Sequence, residues 1–224
     1  MSAAVTKDSK RKRGRPRTTQ EDGKRLIKEA ALAEFAGSGF KGASIERIAR
    51  TAGVAKPLVH YHFGSKQELW NAAVAEGFDQ FQAKTLSFVP EFLELSPDDV
   101  MDRFAEEIVR FSAENPFLVR ISTDETSKGG ERAKWLRKRY LLPLQRLMSD
   151  VVNELMRPVS DKSPVGLAAI VTPSLFGAIN FPYIDADVVR DAHGVDVFSN
   201  EYIQEHARFI AMLMRASLDF HGRR

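Results

Sequence analysis

The chain has 224 residues, of which 43% are hydrophobic and 28% charged, and it contains no cysteine. That length supports one or two domains with sizeable cores, and the lack of cysteine excludes disulfides, thiolate metal sites and cysteine nucleophiles together. The first residues are basic and polar with no apolar run behind them, and no later run approaches the roughly 20 apolar residues of a spanning helix, so a soluble, cytoplasmic chain with no membrane partner is expected.

Charge is divided by position. Residues 1–70 hold 15 Lys or Arg against 7 Asp or Glu, whereas residues 71–224 hold 18 against 23. Phosphates respond to local positive density and not to the chain average. The first part therefore has the charge of a nucleic-acid-binding module and the rest that of a regulatory body, with a merely solubilising basic tail as the plainer alternative.

Residues 1–17 show no helical or strand periodicity and read as a disordered basic arm. Within the arm, Arg13-Gly14-Arg15-Pro16 resembles the core of an AT-hook. Gly14 lets the backbone approach a groove floor, Pro16 keeps the chain extended, and Arg13, Arg15 and Arg17 are then candidates for the narrow, negative minor groove of A·T tracts. Simple attraction to the DNA backbone and an inert tail are the alternatives.

A helical pattern starts at Thr18, where Thr18 and Glu21 fit a capping box and Ile27, Ala31 and Phe35 recur on one face. Gly37 and Gly39 end that helix and turn Phe40 back onto it. Ser44 caps a second helix with apolar Ile45, Ile48, Ala49 and Ala52, and Gly53 breaks it after about two turns. Lys56-Pro57 suits the first turn of a third short helix, whose sticky side is Leu58 and Val59, and Gly64 ends it. Ser65 and Glu68 then make a capping box for a fourth helix. Two short helices joined by a Gly-containing turn and buttressed by longer ones form a helix-turn-helix.

Residues 27–70 resemble the DNA-binding domain of the tetracycline-repressor (TetR) family. The resemblance rests on the Ala-rich first helix ending in Phe35, Gly39-Phe40, Ile48-Ala49, Ala52-Gly53-Val54, His62-Phe63, and Ser65-Lys66 ahead of Leu69. It implies an all-α homodimer that binds a palindromic operator on double-stranded DNA and usually releases it when a small molecule enters the second domain. An effector-independent or activating helix-turn-helix protein is the alternative. Departures fall on the third helix: Ala55 stands where Ser or Thr is frequent, Pro57-Leu58 where Gly-Thr is frequent, and His60 where an aromatic is usual. Lys56, Pro57, Leu58 and His60 are the expected base contacts, with Lys56 suited to guanine O6 or N7 and Pro57 and Leu58 to thymine methyls. Ser44, Tyr61 and Lys66 are the expected phosphate contacts. His60 and His62 point apart on a short helix and have no third ligand nearby, so a metal site is not expected.

The expected organisation is an arm over 1–17, a DNA-binding domain over 18–64, a connecting helix over 65–86 that stops before Pro90, and a helical effector-binding and dimerisation domain over 87–224. In that last part, Val100, Phe104, Ile108 and Phe111 share a face, and the pattern from Glu131 to about Arg157 contains Pro143, which predicts a kink or local opening. Residues 164–181 are uncharged and predict an element buried centrally or in a dimer interface. The family resemblance implies that this helix and the last one form the intersubunit bundle. The Asp-rich stretch 182–200 lacks the alternation of a calcium loop and reads as an acidic connection with a turn of helix. The resemblance further implies an apolar effector pocket, for which Phe104, Ile108, Phe111, Phe117, Trp135, Tyr140, Phe176 and Asn180 are the candidates, with Asn180, Thr172, Thr123 or Tyr140 as its polar groups. No convergent catalytic set or phosphate loop is present, so neither an enzyme nor a bound cofactor is expected.

Overall fold

The computed structural model describes residues 20–92, 94–155 and 166–222. All regular structure among the described residues is helical. Helix α1 (Gln20–Gly42) follows the predicted apolar face, and its backbone breaks at Gly39, where φ is 66° and ψ 169°. That left-handed step is accessible to glycine without Cβ strain, and it swings Phe40 back so that its ring stacks 5.9 Å from Phe35. The expected cap at Thr18 lies outside the described residues. Helices α2 (Ile45–Ala52) and α3 (Lys56–Phe63) are two turns each, as their glycine stops require.

Helix α4 (Lys66–Phe92) runs farther than expected and carries Pro90 within its last turn. A proline removes one amide donor. So close to a helix end that loss is tolerated, and the helix closes at Phe92. At about 1.5 Å per residue this strut reaches roughly 40 Å. Helices α5 (Pro97–Glu114), α6 (Pro116–Lys128) and α7 (Glu131–Leu136) follow. The opening expected near Pro143 is a π-helical turn, Arg137–Leu141, which leads into α8 (Leu142–Leu155). Pro143 has no amide for the Arg139 carbonyl, and the wider turn just before it takes up that mismatch.

Helix α9 (Ala168–Ile184) is the uncharged segment, α10 (Ala186–His193) is the turn of helix in the acidic connection, and α11 (Asn200–Gly222) ends the described chain. Pro182 leaves the Ala178 carbonyl without its helical amide, and His206 Nε2 on α11 lies 3.2 Å from that oxygen. Arg215 ties α11 to α5 through Asp98 at 3.0 Å and Asp102 at 2.5 Å.

Two apolar clusters divide the interior. One joins α1, α2, α3 and the start of α4 to Leu118 and Ile121 of α6, Leu136 of α7 and Tyr140. The other joins Phe81 to α5, α9 and α11. Phe81 and Phe111, 4.0 Å apart by ring centroids, bridge them. Leu175, Ile179 and Tyr183 of α9 are buried, whereas Ile170, Phe181, and Phe209 and Met212 of α11 are at least half exposed in the single chain. No described helix is long and apolar enough to cross a membrane.

Candidate nucleic-acid interface

The entry to α2 is fastened from three sides. Ser44 Oγ accepts the Arg47 amide at 3.4 Å, which closes the predicted cap, and the Ser44 amide donates to Glu34 Oε1 at 3.0 Å. Arg47 reaches the same carboxylate oxygen through Nε at 2.8 Å and donates to the Gly42 carbonyl at 2.6 Å. The Arg47 guanidinium holds the Glu34 carboxyl below its ordinary pKa. Neither Glu34 nor Arg47 was legible from the sequence, because they lie on different helices and outside any i, i+4 pattern.

Gly53 at φ 67° makes the tight turn after α2, and the Val54 amide returns to the Ala49 carbonyl at 3.0 Å. Ala55 offers no side-chain cap to α3, whose first turn instead contains Pro57. Ser65 and Glu68 make the reciprocal capping box of α4, with the Ser65 amide 3.0 Å from Glu68 Oε2 and the Glu68 amide 3.1 Å from Ser65 Oγ.

Val59 is the buried anchor of α3, and the opposite side is open to solvent. Lys56, Pro57, His60 and Tyr61 are all exposed, Tyr61 to 74%, and their spacing stacks Lys56 with His60 and Pro57 with Tyr61 on adjoining rows. Leu58 stands at the flank. His60 Nδ1 lies 3.2 Å from the Gly64 carbonyl, which fixes its ring. His62 turns inward; its buried Nε2 has no hydrogen-bond partner, and burial, with Lys24 adding to it, lowers its pKa.

Lys66 has a structural duty that its sequence position did not reveal. Its ammonium donates to the carbonyls of Ala43 at 2.7 Å and Lys41 at 3.2 Å and sits 4.9 Å from the centre of the Phe40 ring. Two of its three donors are thus engaged at the α1–α2 corner. Arg13, Arg15 and Arg17 lie outside the described residues.

In the second half, Ile108, Phe111, Phe176 and Asn180 border cavities between α4, α5, α6, α8 and α9, and Tyr140 borders an adjoining one. The other candidates are elsewhere. Trp135 packs edge-on against Trp70 and Tyr140, Phe104 packs on the second cluster, and Phe117 lines an open cleft against α1 and α4. Thr172, a buried residue of α9, also borders these cavities.

Residues 27–73 match the family model of bacterial regulatory proteins, tetR family. The matched stretch is the fastened α2–α3 pair with its two buttressing helices. The likeness to the tetR family covers residues 27–73. It is 35% identical over 98 residues to the HTH-type transcriptional repressor SCO4008 of Streptomyces coelicolor, a match covering 44% of this chain and 46% of that protein. It is 34% identical over 87 residues to the HTH-type transcriptional regulator RutR of Escherichia coli, covering 39% and 41%. The matches thus span less than half the length of these curated relatives. Solved structures extend the fold over most of the chain. A TetR-like transcriptional regulator from Rhodococcus sp. RHA1 covers 91% of this chain and 98% of its own at 20% identity and a TM-score of 0.59. FadR from Bacillus subtilis in complex with stearoyl-CoA covers 86% and 98% at 16% identity and a TM-score of 0.63.

Beside the apolar cluster, one guanidinium also links the helix-turn-helix to the second half. Arg132 lies 3.8 Å from the centre of the Phe40 ring and 5.8 Å from that of Trp70, and its Nε donates to the buried Glu125 at 2.8 Å. Glu125 belongs to α6, which also walls the cavities through Leu118, Val119 and Ser122. Arg132 thus links α6 to the α1–α2 corner.

Proposed function

We propose that the protein is a transcriptional repressor that binds a palindromic operator as a dimer and leaves it when a small molecule enters the second half. The observation that carries this reading is the exposed row of Lys56, Pro57, His60 and Tyr61 on a short helix pinned from behind by Val59. Such a row suits a major groove, which admits one helix and presents distinct donors, acceptors and thymine methyls. Lys56 donates to guanine, Pro57 and Leu58 meet methyl groups, and His60 reads a base edge. Ser44, Tyr61 and the remaining donor of Lys66 hold phosphates and fix the register. The arm residues Arg13, Arg15 and Arg17 add minor-groove contacts.

In the proposed organisation, residues 1–17 are the arm, 18–64 the reading head, 65–86 the connecting helix and 87–224 the effector-binding and dimerisation part. The exposed Ile170 and Phe181 of α9 and Phe209 and Met212 of α11 support pairing through those helices, since apolar surface left open on a single chain is what an interface covers. Two copies would set their α3 helices in successive major grooves, roughly 34 to 36 Å apart on one face of the duplex. The naming of a Streptomyces relative as a repressor and the ligand complex of a fold neighbour support repression and effector control in that order. Helix α4 spans from the α3 corner to the cavity walls at Phe78 and Phe81, so it is the proposed transmitter. A ligand can shift the dimer only by its preference for the DNA-incompetent arrangement.

The test is a gel-shift titration of the full chain against the palindrome in its own promoter region. Lys56→Ala should weaken that complex roughly 5- to 100-fold, the value of one good base pairing, without changing the thermal midpoint. Equal affinity for the operator and a scrambled duplex would refute the reading.

A further inference from the structure

The cavities of the second half share their walls. Ile108, Leu141, Leu144 and Phe176 border both a cavity of about 100 Å³ and one of about 30 Å³, and Phe78, Phe81 and Leu144 are common to the latter and a third of about 70 Å³. The three lie side by side, separated by the side chains they share. No charged side chain lines the 100 Å³ and 30 Å³ cavities. Arg139, the cation of the 70 Å³ cavity, is 54% exposed and held by the Tyr140 hydroxyl at 2.6 Å and Asp79 at 3.6 Å. A charged ligand group drawn inside would lose its hydration with no counter-ion to meet it.

The polar groups inside are mostly spent on one another. Ser112 Oγ, with one hydrogen to donate, lies 3.1 Å from Asn180 Oδ1 and 3.0 Å from the Ile108 carbonyl, Asn180 Nδ2 donates to the Phe176 carbonyl at 2.8 Å, and Ser122 Oγ donates to the Val119 carbonyl at 2.9 Å. Among the buried side chains Thr172 is the exception. It is 4% exposed, borders the 100 Å³ cavity together with the half-buried Gln145, and its hydroxyl has no hydrogen-bond partner. Thr85 and Thr126, also helical, bond back to the carbonyl four residues earlier at 2.9 Å and 2.6 Å. A buried hydroxyl that forgoes this bond is costly unless something supplies a partner.

We infer that the effector is an uncharged, largely apolar molecule with a single hydrogen-bonding oxygen that docks on the Thr172 hydroxyl. This deepens the effector-release reading proposed above and rests on it for its biological consequence. Apolar cavities of about 150 Å³ hold a benzene ring, so a compound on the order of ten non-hydrogen atoms docks at the 100 Å³ cavity by displacing the side chains that cavity shares with its neighbours. Thr172 is the specificity residue and the apolar walls supply the bulk of the contact.

The experiment uses the full chain and four compounds with one carbon frame: 2-phenylethanol, ethylbenzene, phenylacetate and 2-phenylethylammonium, titrated calorimetrically at neutral pH. The alcohol should bind most tightly. Thr172→Val should weaken the alcohol about five- to tenfold, the worth of one net hydrogen bond, leave ethylbenzene unchanged, and raise the thermal midpoint of the ligand-free protein because an unsatisfied group is gone. Thr172→Ser should keep the preference for the alcohol. Tighter binding of either ion, no binding by any of the four, an alcohol affinity indifferent to Thr172→Val, or a lowered midpoint in that variant would each overturn the inference. Operator affinity measured alongside separates the two readings. Thr172-dependent binding that leaves the DNA complex intact sinks effector release and keeps the cavity chemistry, whereas release of DNA with no dependence on Thr172 does the reverse.

Discussion

Ser44 illustrates how much a single residue can do at the proposed interface. Its hydroxyl closes the first turn of α2 while its amide is taken by Glu34. Replacing a cap of this kind with alanine costs typically about 1 kcal/mol, so Ser44→Ala should lower stability by that much in urea unfolding and weaken operator binding as well. The cap was readable because Ser before an apolar three-and-four pattern is a local signal. Its reinforcement by Glu34 and Arg47 was not, because a contact across thirteen residues has no local signature. Two histidines give a pH prediction at the same scale. Burial, with Lys24 adding to it, lowers the pKa of His62, and burial, opposed by the Ala178 carbonyl, lowers that of His206. The unfolded chain then binds protons at a higher pH than the folded one. The stability contributed by these neutral rings is complete above their unfolded value of about 6.5 and is lost as pH falls through it toward their folded values. The thermal midpoint, measured at fixed protein concentration, should drop between about pH 7.5 and 5.5. The double variant His62→Asn, His206→Asn should show a shallower slope over that window.

At the scale of elements, α4 and α6 approach so closely at Gly77 that a Cβ there would lie 2.1 Å from Leu118 Cδ1. Gly77→Ala must push the two helices apart or force Leu118 off its rotamer, at a cost of about 1 to 3 kcal/mol. Because these helices border both the cleft and the cavities, that variant should also shift operator affinity in the absence of any ligand; unchanged unfolding and unchanged gel shifts would exclude a tight α4–α6 seam. Prolines show where local rules reach their limit. Pro143 signalled a disturbance, and the π-helical turn before it is that disturbance. Pro90 gave the same signal and α4 continues to Phe92, since near a helix end one lost amide matters little. The uncharged run of α9 was legible as something other than an ordinary surface helix, but which of its residues face the core and which stay open depends on where α5 and α11 lie.

Across the whole molecule, two contacts carry the proposed coupling and the proposed assembly. Glu125 is buried beside Arg132, and removing one partner of a buried pair costs about 3 to 5 kcal/mol because the other charge is stranded; the partial exposure of Arg132 places Arg132→Ala at the lower end of that range. Chemical denaturation would measure it, and Arg132→Met, which keeps part of the packing, should lose no less of the ion pair but less of the contact with Phe40. For assembly, Phe181→Glu together with Phe209→Glu puts charge on the open apolar face of α9 and α11. Sedimentation of the wild type and this variant should show a dimer converted to a monomer with its helical content intact.

The sequence alone determined the helices, their glycine and serine boundaries, the two-turn pair with its exposed row, and the polarity of charge along the chain, because each of these is set by neighbours within a turn or two. Only the tertiary structure decided that Lys66 braces the α1–α2 corner, that Arg132 ties that corner to α6, that Trp135 and Phe117 stand away from the cavities, and that Thr172 carries an unmet hydroxyl. Those are relations between residues brought together by packing, and packing depends on the position of every helix at once.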